Sequence, residues 1–158
     1  MRELILLRHA HAEPAAPGQE DFDRPLSRQG QAEAEAAGNW LRQNHLVPDR
    51  VVTSPARRAR ETLEQVLEIV GYVEQRQDAR IYDATPGDLI QLADELREFP
   101  RVLLVGHNPG LEQLAALLSS GQSGDFRGMP AGSVAVLRLS ADVALEPGVA
   151  ELTAFWWP

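Results

Sequence analysis

The chain has 158 residues, no cysteine and a formal net charge of -8 at neutral pH. That length predicts one domain, residues 1–158, with room for a buried core. The acidity leaves no basic field for a nucleic-acid backbone, and the missing thiols exclude disulfides, cysteine-based zinc sites and a thiolate nucleophile. A local basic pocket for a single phosphate group stays compatible with this balance.

The first element is the aliphatic run Leu4-Ile5-Leu6-Leu7, which reads as a buried strand and stops at Arg8-His9-Ala10. It is too short for a signal peptide or a membrane span, so a soluble cytoplasmic protein with no membrane partner is expected. Residues 13–26 are rich in Pro, Gly, Asp and Glu and predict a loop of functional length. Ser27 caps a helix running to about Asn44, with Trp40 and Leu41 on one face. Pro48-Asp49 turns the chain into a short strand, Arg50–Thr53. Ser54-Pro55 reads as the next helix start, Ser as N-cap and Pro at the first helical position. Leu63, Val66, Leu67 and Val70 share a face of that helix, and Gly71 ends it.

Another strand is expected within 72–82. Thr85-Pro86-Gly87-Asp88 opens a capped helix whose apolar stripe is Leu89, Leu92, Ala93, Leu96 and Phe99. Residues 102–106 read as a central buried strand ending in His107-Asn108. Asn108-Pro109 begins a helix carrying Leu111, Leu114, Ala115 and Leu118. A Gly- and Ser-rich loop spans 119–132. Two β-like segments, 133–139 and 149–157, close the chain, with Phe155-Trp156-Trp157 expected to pack at the core's edge. This order predicts an α/β domain with a mixed, mostly parallel sheet flanked by helices and a hairpin-like C-terminal edge.

Ligands of open parallel sheets bind at the carboxyl ends of the strands. Three such ends share a pattern here: Arg8-His9, Ser54-Pro55-Ala56-Arg57-Arg58, and Gly106-His107-Asn108. Two histidines, one or two further arginines and two helix N-termini would then converge as an anion pocket, most naturally for phosphate. Within it a neutral imidazole is a nucleophile for phosphorus, flanking guanidiniums neutralise the phosphoryl oxygens, and a protonated second histidine adds a donor. No metal is needed where Arg and His⁺ supply the charge. The rival arrangement makes His9, His11 and His107 metal ligands, but Arg8 and Arg58 would repel a dication. His45, just after a helix, reads as a surface residue.

Arg8-His9-Ala10, Arg24-Pro25-Leu26-Ser27 with Gly30, Ser54-Pro55-x-x-Arg58-Ala59-x-x-Thr62 and Gly106-His107-Asn108-Pro109 together resemble the histidine phosphatase superfamily. The short chain and the Arg-Pro-Leu-Ser segment look most like its SixA-type branch, the protein phosphohistidine phosphatases. The resemblance implies the phosphoglycerate-mutase-like three-layer sandwich and metal-independent, cofactor-free catalysis. It further implies that His9 is phosphorylated, that Arg8 and Arg58 hold the phosphoryl oxygens, and that His107, with Asn108 beside it, completes the pocket. Arg58 rather than Arg57 keeps the motif spacing. Ala10 replaces the family's usual Gly, and still leaves room for a phosphate. Larger members carry a glutamate general acid, for which this chain offers Asp83.

Little sequence is left for a cap, so an open pocket is expected, which suits phosphohistidine on a protein surface. The alternatives are a phosphomonoesterase or mutase acting on a small phosphate ester, and a catalytically silent phosphoprotein-binding module.

Overall fold

A computed structural model describes residues 1–125 and 128–158. Among them the strands are β1 (Arg2–Arg8), β2 (Arg50–Thr53), β3 (Gln75–Gln77), β4 (Arg101–Gly106), β5 (Val134–Leu139) and β6 (Glu151–Trp156). They form one six-stranded sheet in the order β3-β2-β4-β1-β5-β6. β2 runs parallel to β3 and β4, and β4 parallel to β1. β5 and β6 add antiparallel strands at the other edge. The helices are α1 (Arg28–Gln43), α2 (Arg57–Val70), α3 (Pro86–Asp94) and α4 (Gly110–Ser120).

Alternation along the strands sorts the core into two layers. Leu4, Leu6, Val102 and Leu104 face α3 and α4 and meet Leu89, Leu92, Leu111 and Leu114. Ile5, Leu7, Leu103 and Val105 face the other way, onto Ala37 and Leu41 of α1 and Leu63 and Val66 of α2. Strands buried on both faces are apolar at every position, which is why 4–7 and 102–105 are unbroken aliphatic runs. The result is the predicted mixed, mostly parallel α/β sandwich of three layers.

The predicted caps at Ser27 and Thr85 form: Ser27 Oγ accepts the Gly30 N–H, and Thr85 makes a reciprocal capping box with Asp88. Gly71 and Gly121 end α2 and α4 at φ 95° and 90°, where a Cβ is disfavoured. Gly30 serves a different purpose. A Cβ there would lie 1.9 Å from the His11 carbonyl oxygen, so α1 can start against the segment leaving β1 only without a side chain. Gly30→Ala is expected to destabilise the fold by about 3 kcal/mol, read as a lower urea midpoint with unchanged slope.

Some expectations are corrected. Ser54 is not a helix N-cap: α2 begins at Arg57, its N-cap is Ala56, and Ser54 Oγ engages other partners. The strand within 72–82 is only the three exposed residues of β3, followed by a 3₁₀ turn at Ala79–Ile81. α3 stops at Asp94, and Leu96 and Phe99 reach the core from the turns after it. α4 runs two residues, Ser119 and Ser120, into the predicted 119–132 loop, of which 126 and 127 lie outside the described residues. Trp156 stacks on Trp40 and packs against the α1–α2 layer, whereas Trp157 is 59% exposed. Among the described residues no helix is long and apolar enough to cross a membrane.

Candidate active site

The three parallel strands β2, β4 and β1 lie side by side, and their register brings their carboxyl ends level. Arg8 pairs with Gly106 and Thr53 with Val105. The ladder continues one residue further, with His9 N–H donating to the Gly106 carbonyl at 2.9 Å and Ser54 N–H to the Val105 carbonyl at 2.9 Å. Arg8-His9, Ser54-to-Arg58 and His107-Asn108 therefore meet at one edge of the sheet, as their spacing predicted. The His9 and His107 rings are 5.1 Å apart between centroids.

Each side chain is held from a different element. His9 Nδ1 lies 2.7 Å from the Ala10 carbonyl oxygen, which can only accept, so Nδ1 carries the proton and Nε2 keeps its lone pair. Ala10 is fully buried, and its N–H donates to Thr62 Oγ1, which in turn donates to the Arg58 carbonyl. Thr62 thereby locks the turn after His9 to the first turn of α2. Arg8 Nη1 and Asn108 Nδ2 both donate to the Met129 carbonyl at 2.8 Å. Arg58, second residue of α2 and only 7% exposed, sends Nη1 and Nη2 to the carbonyl and carboxylate of Asp21 at 2.8 and 3.0 Å. Arg57 points away, exposed, and pairs with Glu61.

Several buried nitrogens remain unused. Nε of Arg8, Nε of Arg58 and Nδ1 of His107 are buried with no partner among the described residues. Buried polar groups are normally satisfied, so these nitrogens, gathered at one sheet edge beside the equally unpartnered Asn108 Oδ1, make this edge a candidate oxyanion site. The start of α2 adds its positive end.

The electrostatics keep both histidines uncharged while the site is empty. Burial foremost, with His107, Arg58 and Arg8 nearby, pushes His9 down to about 3 against the pull of the Ala10 carbonyl. Burial and then Arg58 push His107 down to about 4. Unfolded histidines titrate near 6.5, so below that pH the unfolded chain binds more protons than the native one. The empty protein should lose stability as pH falls from about 6.5 towards 4, and little of that loss should occur above 7. A bound oxyanion favours the protonated rings and should shrink the slope. Melting temperature against pH, with and without phosphate, checks both statements.

Other members of the site were not visible in the sequence. Asp21 sits in the short 3₁₀ turn Asp21–Asp23 within the 13–26 loop and accepts from Tyr82 Oη, Arg24 and Arg58. Those hydrogen bonds, Tyr82's first, hold its carboxyl well below the usual range. Tyr82 stands edge-on to His107 and contacts Phe22 on its other side. Asp83 is exposed, and lines a cleft of about 140 Å³ with Tyr82, His107 and Asn108. His11 turns away to Ser27, its Nδ1 2.6 Å from Oγ, and His45 is exposed. Among the described residues no three His, Asp or Glu side chains converge as a metal site, so the three-histidine arrangement is not assembled.

Known proteins resemble the chain in sequence and in fold. Residues 4–103 match the family model of the histidine phosphatase superfamily (branch 1). An uncharacterized protein of Mycobacterium tuberculosis is 37% identical, covering 94% of this chain and 98% of its own. An Agrobacterium tumefaciens protein carrying a provisional assignment as the phosphohistidine phosphatase SixA superposes with TM-score 0.86 and 31% identity, over 99% of this chain and 98% of that one. A mycobacterial glucosyl-3-phosphoglycerate phosphatase shares the fold at TM-score 0.75 and 23% identity, over 99% of both chains. By sequence, fold and the placement of its motifs, the chain belongs to the histidine phosphatase superfamily, with SixA phosphohistidine phosphatases among its structural neighbours.

Proposed function

We propose that the protein removes a phosphoryl group from phosphohistidine on a protein, without a metal, through a covalent intermediate on His9. The observation that carries this reading is the contact between His9 Nδ1 and the Ala10 carbonyl, which leaves Nε2 unprotonated among orphaned donors. In the first step a bond forms from His9 Nε2 to phosphorus while the substrate's P–N bond breaks. Arg8, Arg58, His107 and Asn108 hold the phosphoryl oxygens. Water then cleaves the bond to His9 and releases inorganic phosphate.

A similar fold and 31% identity to the Agrobacterium protein support phosphohistidine as substrate. Chemistry supports it too. An imidazole leaves with less proton assistance than an alkoxide, and the one carboxyl on the cleft, Asp83, is exposed and makes no hydrogen bond among the described residues. Asp83 is the candidate acid for the second reading, a phosphomonoesterase acting on small esters, a chemistry that the mycobacterial neighbour's name carries. Asp83→Asn is expected to lower kcat on an alkyl phosphate about 100-fold and to leave turnover of a phosphoramidate nearly unchanged. Turnover of a phosphohistidine protein, a phosphoramidate and an alkyl phosphate, each with EDTA present, tests the proposal. Preference for the two P–N substrates, undiminished by EDTA, supports it. Preference for the alkyl ester moves the assignment to the second reading, and loss of activity in EDTA overturns metal independence.

A further inference from the structure

The two histidines of the pocket are wired in opposite senses. His9 meets a carbonyl, which accepts, and His107 meets a hydroxyl, its Nε2 2.8 Å from Ser54 Oγ. Ser54 is fully buried, and its Oγ already accepts the Ala56 N–H at 3.1 Å. The hydroxyl has one proton to give, and among the described residues His107 Nε2 is the acceptor it meets. Reversing that bond would bury the Ser54 proton with no acceptor, a costly outcome in the protein interior. It would also turn a lone pair of His107 Nδ1 into a pocket built for an anion. That Nδ1 is buried and unpartnered, on a side chain only 8% exposed.

We propose that Ser54 is a positioning residue that donates its proton to His107 Nε2 and so fixes the free protein's His107 as the Nδ1–H tautomer. The pocket then presents one bare nitrogen, His9 Nε2, and one N–H, His107 Nδ1, to the same phosphoryl group while both rings are uncharged. Nucleophile and donor need no proton exchange between them before substrate arrives. The sequence disguises this role, because Ser before Pro reads as a helix cap. The structure moves the cap to Ala56 and frees the hydroxyl for the histidine. The inference rests on the phosphatase reading for its purpose, but the hydrogen-bond direction is a property of the empty protein.

Long-range ¹⁵N–¹H correlation spectra of the uniformly labelled free protein at pH 7.5 test it. The expected result is His107 with Nδ1 protonated and Nε2 bare, and His9 likewise with Nδ1 protonated. In Ser54→Ala the His107 proton should redistribute towards Nε2, and kcat on a phosphoramidate should fall about tenfold. Wild-type His107 protonated on Nε2 overturns the inference, as does a Ser54→Ala protein whose His107 spectrum and kcat are unchanged. If Ser54→Ala does not fold, the wild-type spectrum alone decides. Failure to phosphorylate His9 in the wild type would sink the phosphatase mechanism instead, and leaves the tautomer measurement standing.

Discussion

His9→Ala is expected to lower kcat at least about 10⁴-fold on any phosphoryl donor, because in the proposed mechanism it removes the atom that forms the bond to phosphorus. Inorganic phosphate should still bind, since Arg8, Arg58 and the unpartnered His107 Nδ1 remain. The combination matters more than either half. A nucleophile loses turnover and keeps anion affinity, whereas in a phosphoprotein-binding module there is no turnover to lose. Titration calorimetry with phosphate, beside initial rates on a phosphoramidate, reads both. Retained turnover in His9→Ala would place the nucleophile elsewhere.

Arg58→Ala should lower kcat about 100- to 1,000-fold, the usual cost of losing a preorganised donor to a developing oxyanion. Little stability should go with it. The Arg58 partners are a backbone carbonyl and the half-exposed carboxylate of Asp21, which water can solvate once the guanidinium is gone. Arg58 also helps hold His9 and His107 low. Its removal should therefore let both rings protonate at higher pH, moving the acid limb of the kcat/KM profile upward. Arg58→Lys keeps the charge but not the planar fork, and should recover only part of the loss. A collapse in melting temperature matching the loss of activity would instead make Arg58 a structural residue.

Much of this was legible in the chain because the dictating interactions are local or periodic. Unbroken aliphatic runs at 4–7 and 102–105 announced central strands. Ser27 and Thr85 announced helix starts, and three polar strand ends announced a shared site once the strands were read as parallel. What stayed hidden depends on tertiary placement. β3 is an exposed edge strand with no apolar alternation to betray it. Asp21 lies in a loop without periodicity, and only folding carries it across to Arg58 and Tyr82. Ser54 was misread because Ser-Pro is a good local cap, and its partner His107 is 53 residues away. The Trp pair at the C-terminus split for a similar reason: Trp156 finds Trp40 to stack on, and the next residue along faces solvent.

Covalent catalysis by His9 is tested most directly by trapping a phosphorylated form of the protein. Wild type and His9→Ala are mixed with a phosphoramidate in EDTA, quenched in alkali within the first turnovers and analysed as peptides by mass. An acid-labile, alkali-stable phosphate is expected on His9 in the wild type, formed at least as fast as turnover, and none in His9→Ala. Turnover with no label on His9, or label that persists when His9 is replaced, would contradict it.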